Sequence, residues 1–314
     1  MKHQNQNLRF KDLNIPIKII LQEAVRQGIN VYQIEDTNIY IAQKNEKQII
    51  FIGSYTSAIP YSLGLILGSR YNVRQILKNN NIPVTPGKLF SYFQKDDALD
   101  FAKSIKFPIL LRIENSQRDA KSFIGIKNQH EFIQSFNELS TSKENILIEK
   151  FCSGNILRFF ITKTGFLNVL LKQQPFVVGD GVSSVTELMI KKYSNQFNFN
   201  ANTVPFKGKK IVFTQCTSFN KGAVYKDITK IIHPSFYTLC QKVINTFPHL
   251  SYLGFELITK NYKQKMADKN FIISDVYLSP GPNINFSMSN GKTSQKCDKL
   301  LVNLLFSNDI QSRT

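Results

Sequence analysis

The sequence predicts a mixed fold of the α/β or α+β class, and three observations predict it. Short β-type apolar runs alternate with helical stripes along the chain. The stretch 175–188, PFVVGDGVSSVTEL, spells strand, turn and capped helix in succession. A chain of 314 residues with 42% hydrophobic content can bury a large core. The length fits one large domain or two to three subdomains, and no internal repeat or low-complexity tract interrupts the plan.

The elements follow in chain order. Over 16–27, Ile20, Ala24 and their neighbours share one helical face, and Gly28 can end that helix. Runs at 31–34, 39–42 and 49–52 are separated by polar turns, so residues 1–68 read as a small α/β unit. A helix follows over 71–78, and Ile82-Pro83-Val84 must be extended because proline disfavours helix in the residue before it. Ala98, Phe101, Ala102 and Ile105 form a helical stripe, 109–113 a buried strand, Phe132, Ile133, Phe136 and Leu139 a second stripe, and 146–151 another strand. Strands at 159–162 and 167–171 lead into the 175–188 motif. There Val177 and Val178 end an apolar run, Asp180-Gly181 reverses the chain, and Ser184 with Glu187 matches a capping box for the next helix. The Asn- and Lys-rich segment 194–208 reads as a long surface loop. Helices over 234–246 and 295–305 flank a last pair of strands, 254–259 and 271–277.

Lys and Arg outnumber Asp and Glu by 40 to 22, a net charge of +18 that attracts anionic partners such as nucleotide phosphate, nucleic acid or an acidic peptide. The excess is spread out, with no basic arm or recognisable nucleic-acid module, so it reads as a lysine-rich surface rather than a nucleic-acid interface. Cys152, Cys216, Cys240 and Cys297 lie far apart with no C-x-x-C pair, which argues against a zinc site or a disulfide framework. No segment has the roughly 18 uncharged apolar residues of a membrane helix, and the N-terminus has no signal-peptide core. The expectation is a cytoplasmic protein without membrane partners.

The string VVGDGVSSVTEL is similar to a segment of the ATP-grasp superfamily, in the module found in cyanophycin synthetases and bifunctional glutamate–cysteine ligase/glutathione synthetases. In that register the resemblance covers nearly the whole chain. It implies an ATP-grasp fold, with two α+β subdomains at 69–150 and 151–314 clasping a nucleotide, preceded by a small α/β pre-grasp segment at 1–68. GSYTSAIPYSLGLILGSRYNVRQILKNNNIPVTPG resembles the pre-grasp stretch with its D-K-x-x-T-K helix, and places Arg70 at the first lysine. FPILLRIEN resembles Y-P-V-V-V-K-P and places Arg112 at its lysine. The resemblance implies that Arg70 and Arg112 hold ATP phosphates. Taken singly, each reads nearly as well as a surface arginine in an ion pair.

LIEKFCSGNILRFFI resembles the family hinge, which implies that Glu149, Lys150 and Phe151 recognise adenine, while Ile156 replaces the ribose glutamate. Arg158 matches an arginine suited to an acyl phosphate or substrate carboxylate, because a guanidinium offers paired donors to two anionic oxygens. A strand-edge arginine is the alternative. Gly254-Phe255-Glu256 resembles G-x-D, and SDVYLSPGPN resembles E-V-N-A-S-P-G-L, so Glu256 and Asp275 are the implied ligands of Mg²⁺, or of Mn²⁺ in its place. Tyr277 replaces the asparagine of that pattern. Residues 114–120, at the family's glycine-rich loop, contain no glycine. TQCTSFNKGA resembles the R-x-x-A-N-L-S-T-G-G segment with its arginine lost, and Lys221 could restore a positive charge.

The implied activity is an ATP-dependent carboxylate–amine ligase working through an acyl phosphate on an amino-acid or peptide substrate, with Arg158 and Lys221 as its catalytic residues. The departures from the family pattern support a second reading. In that reading the chain is a catalytically degenerate scaffold that binds nucleotide, or pairs with a partner ligase, without turnover.

Overall fold

The computed structural model describes residues 13, 15–53, 55–114, 121–165, 167–193, 201–213, 224–267, 270–278 and 297–307. Helix α1 (Ile15–Arg26) packs on an antiparallel sheet of β1 (Asn30–Gln33), β2 (Ile39–Lys44), β3 (Lys47–Ile52) and β4 (Tyr55–Thr56), in that order. Period-two alternation decides the buried face: Val31, Tyr40, Ala42, Ile49 and Phe51 meet Ile17, Ile20, Leu21 and Ala24 of α1. Leu301, Val302 and Leu305 of the last described helix, α8 (Cys297–Phe306), complete that core.

Two helices follow. The first is α2 (Tyr61–Gly68), a two-turn apolar run to which the sequence pattern assigns no element. The second is α3 (Arg70–Asn79), capped by Ser69, whose hydroxyl accepts from Asn72 N at 3.1 Å. After α3 the extended Val84 bridges Ile273 in parallel. A four-stranded antiparallel sheet comes next, in the order β5 (Gly87–Phe90), β8 (Ile146–Lys150), β6 (Ile109–Ile113), β7 (Ser122–Ile126). The helices α4 (Lys95–Ser104) and α5 (Gln129–Ser140) bury Ala98, Ala102, Phe132 and Phe136 against it, which are the stripes legible in the sequence.

The largest sheet has five antiparallel strands in the order β13 (Val224–Asp227), β10 (Leu167–Gln173), β9 (Asn155–Thr162), β14 (Tyr252–Thr259), β15 (Phe271–Tyr277). One face buries Leu157, Phe159, Ile161, Phe255 and Leu257 beneath α7 (Ser235–Asn245), with the Phe159 and Phe255 rings stacked 4.4 Å apart. The other face carries the alternate residues, Arg158 and Glu256 among them. His233 opens α7 in a structural role, its Nδ1 within 3.1 Å of the Ser235 amide.

The 175–188 motif forms β11 (Phe176–Val178) and α6 (Val185–Tyr193), with β12 (Lys210–Val212) returning antiparallel to β11. The capping box is present: Glu187 N donates to Ser184 Oγ at 3.2 Å and Ser184 N to Glu187 Oε2 at 2.7 Å. Gly181 takes φ +84° in the turn, as the reversal requires. The described part of the expected surface loop, 201–208, folds back on this motif. A Cβ on Gly179 would lie 2.3 Å from the Phe206 carbonyl oxygen, so close backbone approach, rather than chemistry, explains that glycine.

In the same turn the Asp180 carboxylate accepts from the Ser183 amide at 2.7 Å and the Val182 amide at 2.9 Å. Those bonds, first to Ser183, hold its pKa down from 3.8 to about 2. The folded value lies below the unfolded one, so this stabilisation is complete above about pH 4 and fades as pH falls towards 2. A ¹³C titration of the Asp180 side chain should have its midpoint near 2, and a midpoint near 4 would show that the turn is open in solution. No described helix is long and apolar enough to cross a membrane.

Candidate functional site

The site lies where α3 and the β5–β8 sheet face β14 and β15, and ion pairs build it. Arg70, the first residue of α3, places Nε 3.2 Å from Asp275 Oδ2 on β15. Asp275 raises the Arg70 pKa by direct Coulombic attraction, and that gain outweighs the opposing effect of burial. One turn along the helix, Arg74 contacts Glu149 of β8 through Nη2 and donates to the Ser274 carbonyl at 3.1 Å. Residues four apart share a helix face, so Arg70 and Arg74 both address β15. Arg112 of β6 reaches the second Glu149 oxygen, its Nε at 2.6 Å but off the axis of a hydrogen bond. Glu149 is thus held between two guanidiniums, with its side chain 3% exposed and that of Arg74 5%.

A second cluster lies straight across the large sheet. The register places Arg158 opposite Glu256 and Glu256 opposite Asp275, so the three side chains line one row of one face. Arg158 Nη1 is 3.4 Å from Glu256 Oε1, and its guanidinium sits 4.3 Å over the Tyr277 ring. Burial pushes the Glu256 carboxyl up, but Lys172, Arg158, Arg112 and Arg70 together hold it below its ordinary value, so it is ionised. Burial also works against the charge on Arg158, and Tyr277, Glu256, Tyr225 and Asp275 more than offset it. Burial pushes the Tyr277 phenol well above its usual value, leaving it a neutral hydroxyl at physiological pH.

Gly254 makes this arrangement sterically possible, because a Cβ there would lie 2.2 Å from Tyr277 Cε2. Gly254→Ala should therefore displace the ring from beneath Arg158 and cost about 1–3 kcal/mol of overpacking. Urea denaturation measures it. An unchanged midpoint would mean that the ring has room to move.

Of the residues singled out from sequence, Arg70, Arg112, Arg158, Glu149, Glu256 and Asp275 converge. Lys150 turns instead to the loop before β6, with Nζ donating to the carbonyls of Lys106 at 2.6 Å and Phe107 at 3.3 Å. The Phe151 amide donates to Pro108 O at 3.2 Å. Lys221, residues 115–120 of the glycine-loop counterpart, and the SPG turn lie outside the described residues.

Several site residues escaped the sequence reading. Arg74 was signalled only by its spacing of four from Arg70. Lys172 and Tyr225 are brought to Glu256 by β10 and β13. Glu114 is buried, and one of its oxygens accepts from Ser69 Oγ at 2.7 Å and the Tyr71 amide at 2.9 Å, so it ties β6 to the start of α3.

The donor set suits a Mg²⁺-nucleotide. Glu256 and Asp275 are adjacent hard oxygen donors, and a hard cation fills its remaining positions with phosphate oxygens and water. Arg70 and Arg112 are cations within reach of the same space. Among the described residues there is no cluster of three or more Asp, Glu, His or Cys suited to a metal ion.

Comparison with known proteins agrees with this architecture. The chain is 22% identical over 327 residues to the glutathione biosynthesis bifunctional protein of Clostridium perfringens, covering 95% of this chain and 42% of that one. It is 21% identical over 247 residues to cyanophycin synthetase of Synechocystis, covering 69% of this chain and 28% of that one. Its structure superposes on the bifunctional glutathione synthetase of Pasteurella multocida with a TM-score of 0.67 at 18% identity, over 95% of this chain and 44% of that one. The chain therefore spans less than half the length of these relatives. No family model matches it. The fold is the ATP-grasp fold.

Proposed function

We propose that this ATP-grasp protein is an ATP-dependent carboxylate–amine ligase that draws on cytoplasmic ATP and acts on an amino-acid or peptide substrate. The observation that carries the reading is the meeting of Arg70 and Arg112, from the first half of the chain, with Glu256 and Asp275 from the second. In the proposed reaction a substrate carboxylate oxygen attacks the γ-phosphorus of ATP, ADP leaves, and an acyl phosphate forms. An amine nitrogen then attacks the acyl carbon, the C–N bond forms, phosphate departs with the C–O electron pair, and the nitrogen gives up one proton to the departing phosphate.

Arg70 and Arg112 would hold phosphate oxygens, and the Glu149-to-Phe151 strand end would receive the adenine. Arg158 would face the acyl phosphate, with Lys221 contributing a second positive charge there. Glu256 and Asp275 would hold the divalent ion, which neutralises phosphate charge when bound. Fixed cations aimed at charge that develops in the transition state are usually the largest catalytic contribution.

The test is ADP and phosphate release from Mg-ATP across a panel of amino acids and short peptides, with the product identified by mass. Substrate-dependent ADP release with a mass equal to the condensed amide supports the ligase. Tight nucleotide binding without ADP release across the panel would favour the degenerate scaffold, a reading supported by the guanidinium partner that each carboxylate of Glu149, Glu256 and Asp275 already holds. Absence of nucleotide binding would reject the ligase and leave only the form of the scaffold that pairs with a partner ligase.

A further inference from the structure

We infer that Glu114 is a positioning residue for nucleotide binding, acting not as a ligand but by fixing where Arg70 and Arg112 stand relative to each other. The inference rests on the proposed reading of those two arginines as phosphate holders, and it adds a residue to which that reading gives no role.

One oxygen of Glu114, a residue 3% exposed, accepts from Ser69 Oγ at 2.7 Å and from the Tyr71 amide at 2.9 Å. Those are the residues on either side of Arg70, so a single buried carboxylate brackets the start of α3 around it. The Glu114 backbone is fixed as well. Its amide donates to Asn145 O at 2.8 Å, which carries the pairing of β6 with β8 one residue beyond Ile113 and Ile146. Side chains two apart on a strand share a face, so Arg112 and Glu114 leave β6 on the same side. The register puts Glu149 opposite Leu110, on that side too.

Arg74 and Glu149 form the second tie between α3 and this sheet, one turn further along the helix. One tie fixes a point and two fix an axis. Without Glu114, α3 is free to pivot about Glu149, and Arg70, at the first position of the helix, moves most.

Ending the helix does not require Glu114. Ser69 Oγ already accepts from Asn72 N at 3.1 Å, which is the usual side-chain cap. The other Glu114 oxygen is buried with no hydrogen-bond partner among the described residues, which costs stability. What the carboxylate contributes is a set distance between two cations. Because it also occupies the Tyr71 amide, α3 presents a phosphate with the Arg70 side chain rather than with that amide, and the reach of the side chain depends on where its Cα is held.

The experiment is a double-mutant cycle read by calorimetric titration with Mg²⁺ and the non-hydrolysable β,γ-imido analogue of ATP. Glu114→Ala should weaken binding by about tenfold or more, and Glu114→Gln, which keeps a carbonyl acceptor, should bind within about threefold of the unaltered protein. In the Arg70→Met background there is no guanidinium left to position, so there Glu114→Ala should cost less than about a further twofold. Should Glu114→Ala fail to fold, Ser69→Ala, which removes one of the two bracketing donors, takes its place in the cycle, with an expected loss of about threefold alone and none beyond Arg70→Met.

Losses that multiply independently across the two sites would overturn the inference. So would a folded Glu114→Ala that binds the analogue as tightly as the unaltered protein, since the carboxylate would then serve the fold alone, or a Glu114→Gln no better than Glu114→Ala. If the unaltered protein binds no analogue, the nucleotide reading itself falls and takes the inference with it.

Discussion

Replacing Glu149 with alanine is expected to destabilise the fold by about 3–5 kcal/mol, because it strands the buried Arg74 and leaves Arg112 without its carboxylate. The carboxylate lies between the two guanidiniums and its side chain is 3% exposed, so neither it nor Arg74 has water to fall back on. Arg74 already has Nε and Nη1 without hydrogen-bond partners among the described residues, and its remaining bond would be to the Ser274 carbonyl. Glu149→Gln keeps the shape and one acceptor and should cost less than the alanine variant.

The informative control is the double replacement Arg74→Met with Glu149→Leu, which removes the most buried charges together. Apolar groups of similar volume often restore stability, and Arg112, at 22% exposure, can turn to solvent. Urea midpoints that recover in the double variant would show that the triad is held for positioning rather than for stability. A double variant as unstable as Glu149→Ala would show that Glu149 contributes packing which leucine cannot replace.

What could be read from the sequence and what could not divide along a physical line. Helical stripes and β-type runs carry their own periodicity, so α5 and β15 appear nearly in full from Phe132, Phe136, Leu139 and from 271–277. Short elements held by partners distant in the chain lack that signal. The strands β12 and β13 are three- and four-residue spans, too short to show a period of their own, and only pairing with β11 and β10 defines them. The same holds in the site. Arg70, Arg112, Glu256 and Asp275 were legible because each sits in a recognisable string. Arg74 sits in one too, but its importance depends on Glu149, 75 residues away, and on a main-chain carbonyl at Ser274 that no side-chain pattern reports. Glu149 looked from its string like a ligand-facing acid, and its commitment to two arginines is a property of tertiary packing alone.

Arg70→Met should separate function from stability in the opposite sense to Glu149→Ala. The Arg70–Asp275 pair is about a quarter exposed on both sides, so losing the guanidinium lets Asp275 hydrate and should cost no more than about 1 kcal/mol. If Arg70 transfers from Asp275 to a phosphate when the nucleotide binds, the same change removes charge stabilisation in the transition state and should slow ADP formation on the order of 100–1000-fold. Asp275→Asn attacks the pair from the other side. It frees Arg70 without removing it, so binding of metal-free nucleotide should hold or improve while the gain in affinity from added Mg²⁺ disappears. Calorimetric titration with and without Mg²⁺ measures both. Equal losses of metal-free affinity in the two variants would mean that the pair acts as one structural strut between the halves of the site. A loss confined to Arg70→Met, with the Mg²⁺ dependence lost only in Asp275→Asn, would mean that the two charges exchange partners as the ligand arrives.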